Sequence, residues 1–192
     1  MSLQIDEQRI NAIVKRVVAE LRQERPIPNL QSPISNIQPL SGQDGVFPDI
    51  DSAIAAAQVA HKQLMALPVE RRDIIISQMR QAARENAQIL AHEAWQETDM
   101  GRYEDKIEKN LLVADKTPGT EDLKPIVFTG DRGLTLIERA PYGVIGAITP
   151  STNPTSTIIC NTIGMVAAGN AVVFNCHPGA KKVSVHTVQI LN

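Results

Sequence analysis

Residues 149–156 read Thr149-Pro150-Ser151-Thr152-Asn153-Pro154-Thr155-Ser156, five hydroxyls and one amide packed between two prolines and their neighbours. The stretch follows a short apolar run, "GVIGAI", and precedes a long helix-like one. If a helix begins at Pro154, its first N–H groups are uncommitted and its positive dipole end faces the loop. The Asn153 amide can add a further donor, and such a set can hold a carbonyl oxygen while charge builds on it. The same residues have a plainer use. Asn153 can serve as the N-cap and Pro154 as the first helical residue, which stabilises the helix by about 1 kcal/mol. Spacing leaves both readings open. A second loop, His177-Pro178-Gly179, forms a rigid turn where His177 either packs on a flat ligand ring or fills the turn.

Other reactive residue types carry less. Neither G-x-G-x-x-G nor G-x-x-x-x-G-K-[ST] occurs, so neither common phosphate cradle is present. The two cysteines, Cys160 and Cys176, lie in apolar runs without C-x-x-C spacing, which excludes a disulfide framework and a zinc site, and no metal site is expected. Cys160 falls inside a helix with no paired base, and Cys176 has only His177 beside it. His61, His92 and His186 read as ordinary helical-face histidines.

The elements that must position the two loops follow from periodicity. "GVIGAI" is a short apolar run bounded by turn residues, as expected of a parallel strand covered on both faces. "PTSTIICNTIGMVAAGN" is helix-like and stops at Gly169-Asn170, "AVVFN" is a second buried strand, and "GAKKVSVHTVQIL" opens a second helix. Strand, helix, strand, helix with short connections predicts a right-handed parallel unit, in which ligands bind beyond the carboxyl ends of the strands. Both loops lie there.

Upstream, Asp49 is a candidate N-cap for a helix carrying Ile50, Ile54, Ala57 and Leu64. Pro68 suits the first position of a second helix, a third ends near Gly101, and a fourth covers roughly 103–115. Short strands "PIVFTG" and "GLTLIERA" follow. Residues 5–23 form one continuous helical stripe through Ile10, Ile13, Val14, Val17, Val18 and Leu21. Residues 24–46 carry Pro26, Pro28, Pro33 and Pro39 without periodicity and read as a linker spanning roughly 25 Å as a coil or about 70 Å in polyproline II. The helix is therefore tethered, and so short a helix needs a partner for its apolar face. Docking to another protein, or self-interaction, would supply one.

Composition narrows the classes further. Lys and Arg total 19 against 21 Asp and Glu in 192 residues, so no basic excess points to nucleic acid. Six aromatics in all argue against base-stacking platforms. No secretory signal is visible, and the apolar stretch 155–174 is broken by Asn161, Gly164, Gly169 and Asn170, which fits a buried helix and strand better than a membrane span.

The run "GLTLIERAPYGVIGAITPSTNPTSTIICNTIGMVAAGNAVVFNCHPGAKK" resembles the aldehyde dehydrogenase superfamily, and within it the CoA-acylating propionaldehyde and acetaldehyde dehydrogenases of bacterial microcompartments. The series "PSTNPT…GN…HPGAKK" is specific, and the likeness covers roughly 47–192. It implies an α/β fold: the N-terminal part of an NAD-binding domain of that type, with the start of its oligomerisation strands, preceded by helices and a detached amphipathic helix. It implies oxidation of a short-chain aldehyde to acyl-CoA with NAD and CoA by a homo-oligomer inside a microcompartment of the bacterial cytoplasm. Thr149, Pro150, Ser151 and Thr152 would line the nicotinamide side of the NAD site. Asn153 would be the amide donor to the thiohemiacetal oxyanion, although non-acylating relatives place that asparagine where this chain has Thr152. His177, Pro178 and Gly179 would flank the adenosine end of NAD, and CoA when it exchanges with NADH. The "NCHP" loop replaces the lysine that non-acylating relatives use on the adenosine ribose. Residues 1–23 resemble an encapsulation peptide that docks on a shell protein. The family's nucleophilic cysteine and Gly-rich loop lie beyond position 192. The alternatives are a non-acylating NAD-dependent aldehyde dehydrogenase and a non-catalytic targeting or assembly fragment.

Overall fold

A computed structural model describes residues 44–192 together with Lys15 and Gly42. The chain divides into two compact units, residues 1–39 and 40–192. In the first, Lys15 is helical and exposed; the helix expected over 5–23 and the linker over 24–46 otherwise lie outside the described residues, apart from the few just before Phe47.

Four helices come first. α1 (Ile50–Ala66) is capped as expected: Asp49 accepts from the Ser52 N–H at 2.8 Å, and the Ser52 hydroxyl donates to the Asp49 carbonyl at 3.0 Å. Hydrogen bonding from the Ser52 backbone N–H, and then from its side chain, holds the Asp49 carboxyl below its ordinary range. In α2 (Val69–Glu85), Pro68 is the N-cap, one place earlier than expected, with an extended ψ of 157°. A proline can take either position because its absent N–H has no helical partner at a helix start. α3 (Ala87–Thr98) buries Ala87, Leu90, Ala91 and Ala94, a single face at helical spacing. It ends at Asp99, left-handed at φ 51°, before Gly101 is reached. A short acidic side chain tolerates that conformation better than most. α4 (Tyr103–Lys116) turns Lys106, Asn110 and Ala114 inward, also one face.

The strands follow. β1 (Ile126–Gly130) and β2 (Gly133–Ile137) form an antiparallel hairpin joined by Asp131 and Arg132, and every residue of both strands is exposed. β3 (Val144–Thr149) and β4 (Ala171–Cys176) pair in parallel, with α5 (Pro154–Ala167) between them in the chain and α6 (Lys181–Leu191) after β4. That is the strand–helix–strand–helix unit read from the sequence.

α5 is the centre of the core. Ile158, Ile159 and Ile163 are fully buried, and the helix touches α2, α3, α4, α6 and both parallel strands. Its end uses Gly169 at φ 81°, where the Asn170 N–H donates to the Met165 carbonyl at 2.8 Å and the Gly169 N–H to Val166 at 2.9 Å, a Schellman stop. The buried Asn170 side chain then reaches across to the entry of β3, accepting from the N–H groups of Tyr142 (2.6 Å) and Gly143 (3.0 Å). It ties the two strand entries together and so helps set the register Val144 opposite Ala171. β3 differs from expectation in one respect. Ala147 and Thr149 are buried, but Ile148 stands 82% exposed, because no described element covers that side of it.

Candidate active site

The parallel register sets Thr149 against Cys176, so the segments 150–153 and 177–179 leave the sheet at the same edge. The structure thus brings together the two groups of residues that the sequence singled out. Thr149 is 1% exposed, and its hydroxyl finds no hydrogen-bond partner among the described residues. Pro150 and Thr152 are exposed, while Ser151 and Asn153 are half-buried.

Asn153 sits at the N-cap of α5 and Pro154 is the first helical residue, but the Asn153 side chain makes no capping bond. Only its backbone carbonyl serves the helix, accepting from the Thr157 N–H at 3.1 Å. The N–H groups of Thr155 and Ser156 therefore remain uncommitted among the described residues. The amide oxygen is occupied elsewhere: the Lys109 ammonium donates to Asn153 Oδ1 at 2.8 Å. That leaves Nδ2 as the end able to donate to a ligand.

α4 does more here than the sequence indicated. Its Lys106, Lys109 and Asn110, at i, i+3 and i+4, share one face and meet successive parts of the loop and helix start. Lys106 Nζ donates to the Thr152 carbonyl at 3.2 Å, Lys109 holds Asn153, and Asn110 Oδ1 accepts from the Thr155 hydroxyl at 2.7 Å. Asn110 is itself fixed by donating to the Ala87 carbonyl at 3.2 Å. Lys106 is only 7% exposed, and burial, followed by the neighbouring Lys109 charge, lowers its pKa. Sequence reasoning passed over all three. The K-x-x-K-N spacing in a helix was the available signal, but spacing alone cannot say what such a face meets.

At the second strand end, His177, Pro178 and Gly179 are exposed and form a short 3₁₀ turn, Pro178–Ala180. His177 Nδ1 accepts from the Gly179 N–H at 3.0 Å, so the imidazole fastens its own turn while its ring stays open to solvent. The start of α6 is capped from outside: Glu97 of α3 accepts from the N–H groups of Lys182 (2.9 Å) and Val183 (2.7 Å). Of the histidines expected to be unremarkable, His186 pairs with Glu93 at 2.6 Å, and His92 meets Tyr103 edge-on at 5.9 Å between ring centroids. Among the described residues no cluster of His, Cys, Asp or Glu is arranged to hold a metal ion, and no helix is long and apolar enough to cross a membrane.

A buried orphan hydroxyl, an amide held by its oxygen and two free helical N–H groups form a donor-rich strand end. It fits an oxygen-bearing ligand that must be oriented, such as a nicotinamide carboxamide or a developing alkoxide. The sequence profile of the Aldehyde dehydrogenase family matches residues 28–192. An acetylating acetaldehyde dehydrogenase of Bilophila wadsworthia is 43% identical over 190 residues, which cover 99% of this chain and 39% of that relative. A propionaldehyde dehydrogenase from the fucose-utilisation bacterial microcompartment of Clostridium phytofermentans superposes with a TM-score of 0.74 at 54% identity, over 77% of this chain and 34% of that one. A Rhodopseudomonas palustris propionaldehyde dehydrogenase with bound propionyl-CoA gives a TM-score of 0.76 at 47% identity, over 79% and 34%. The chain spans about two fifths of the length of the curated relatives that match nearly all of it.

Proposed function

The chain belongs to the aldehyde dehydrogenase family, and on that premise we infer that it forms the N-terminal part of a CoA-acylating enzyme. That enzyme converts a short-chain aldehyde, NAD and CoA into acyl-CoA and NADH within a bacterial microcompartment. The acylating relatives, one of them holding propionyl-CoA, support the subgroup. Bound NAD would supply the two-electron acceptor. Thr149, Pro150, Ser151 and Thr152 would line its nicotinamide side, and His177, Pro178 and Gly179 its adenosine side; the common edge from which the two loops leave supports their serving a single site. A cysteine outside these residues attacks the aldehyde carbon, and the oxygen gains negative charge. Asn153 Nδ2 donates to that oxygen, which keeps the charge from having to be solvated by water. Loss of the carbon's hydrogen as hydride, for which bound NAD would be the acceptor, would leave a thioester, and transfer of its acyl group to the CoA thiol in place of water would release the cysteine.

The observation that carries the site reading is the state of Asn153. Its oxygen is bound to Lys109 and does not cap α5, so its nitrogen is the end left for a ligand. Thr152, the other candidate position, contributes its carbonyl to Lys106 and is exposed. Residues 1–23 serve as the address, docking on a shell protein through their apolar stripe, and 24–46 serve as the tether.

The test uses the complete enzyme with propionaldehyde and NAD, with and without CoA. Steady NADH production that needs CoA supports the acylating reading; an undiminished rate without CoA would replace it with a hydrolytic one. The same enzyme lacking residues 1–24 is expected to keep its rate and lose co-sedimentation with shells. Lost activity in that variant would place the helix in the catalytic body.

A further inference from the structure

Lys106 and Lys109 bring two ammonium groups to one short loop, and neither forms an ion pair with a carboxylate among the described residues. An asparagine at an N-cap ordinarily spends its side-chain oxygen on the second or third N–H of its own helix, a stabilising contact that α5 forgoes. Lys109 has drawn that oxygen away. A carboxamide is planar, so fixing Oδ1 also fixes Nδ2, and a charge-assisted bond to the oxygen polarises the amide and strengthens its N–H groups as donors. Without the lysine the amide is free to turn its oxygen towards the ligand, or back onto its own helix, and either orientation withdraws the donor.

We propose that Lys109 is a positioning residue that orients the Asn153 amide for donation, while Lys106 secures the backbone of the same loop through Thr152. This rests on the reading of Asn153 as the oxyanion donor. Lys109 acts through Asn153 and does not itself touch the reacting atoms.

The experiment is a double-mutant cycle in the complete enzyme. Lys109→Met should lower kcat on the order of tenfold, the scale of one charge-assisted hydrogen bond. Because Lys109 is exposed, the melting temperature and the NAD affinity measured by calorimetry should stay as in the parent. Lys109→Arg, which keeps a donor, should recover most of the rate. Asn153→Ala should lower kcat by about 10²-fold, and adding Lys109→Met to it should cost little more. A slow Asn153→Ala beside a Lys109→Met within about twofold of the parent overturns the positioning role alone. A near-normal Asn153→Ala removes the donor reading and this proposal together. Additive losses in the double variant would also overturn it, since they would mean that Lys109 acts independently of the amide.

Discussion

Lys106 shows how a single side chain can serve the site at a cost to the fold. It is nearly buried beside a second lysine, and its only described hydrogen bond goes to a neutral carbonyl. Burial, then the Lys109 charge, holds its pKa below the ordinary 10.5. Between that lowered value and 10.5 the unfolded chain binds more protons than the folded one, so Lys106 makes stability rise with pH across that window. Below the window the lysine is charged in both states and its full penalty applies. Lys106→Met removes the titration while keeping the stem. In paired denaturant melts, the stability difference should move in favour of the parent as pH approaches 10.5. A difference that stays flat would show that the ammonium is hydrated in solution. The three positions Lys106, Lys109 and Asn110 are then read together: one buried cation, one exposed cation and one satisfied amide hold a loop that has no regular structure of its own.

Helix ends do most of the work of placing the two loops. α5 leaves its start uncapped, whereas α6 has its first N–H groups satisfied by Glu97, a residue of α3. The Glu97 carboxylate also complements the positive end of α6, which immediately follows the His177 turn. Removing it should loosen that turn as well as the helix. Glu97→Ala is expected to destabilise the protein by about 1–2 kcal/mol, with Glu97→Gln intermediate because it keeps one acceptor. Equilibrium unfolding checks the stability, and NAD binding by calorimetry should weaken alongside it. Parent-like unfolding of Glu97→Ala would mean that water replaces the carboxylate. At the C-terminal end of α4, Arg80 donates to the carbonyls of Ala114 and Thr117 at 2.6 Å each. The helix that carries the lysine pair is therefore braced at its C-terminal end by a side chain of α2.

Across the molecule, the largest unmet demand is apolar surface. The β1–β2 hairpin exposes Ile126, Val127, Phe128, Leu134, Leu136 and Ile137, with Leu134 at 68%. An isolated two-stranded hairpin is marginal in water, so this one needs a covering surface. The resemblance implies that residues 47–192 include the start of the family's oligomerisation strands, and we propose that this hairpin is that start. The 192-residue chain should accordingly sediment above its monomer mass in a concentration-dependent manner. Replacing Phe128 and Leu134 by Ser should shift it towards monomer. A chain that is monomeric at every concentration would assign the cover to another segment or another protein. Ile148 on β3, 82% exposed, makes the same point for the parallel pair.

Much of this was legible from the sequence because it is governed by local rules. Asp49 as a cap, Gly169-Asn170 as a stop and the alternation of apolar runs are consequences of backbone geometry within a few residues. Two parallel strands also oblige their following loops to leave from one edge, so the meeting of 149–153 with 177–179 followed once the strands were recognised. What the sequence left open was the use of Asn153. Cap and ligand donor demand the same residue at the same place, and the structure adds that a lysine 44 positions away holds the amide oxygen. The amphipathic spacing of α4 could say that Lys106, Lys109 and Asn110 share a face, and the packing of α4 against α5 says what that face holds. Hydrogen bonds between elements distant in the chain depend on how helices are laid side by side, and no local pattern records that arrangement.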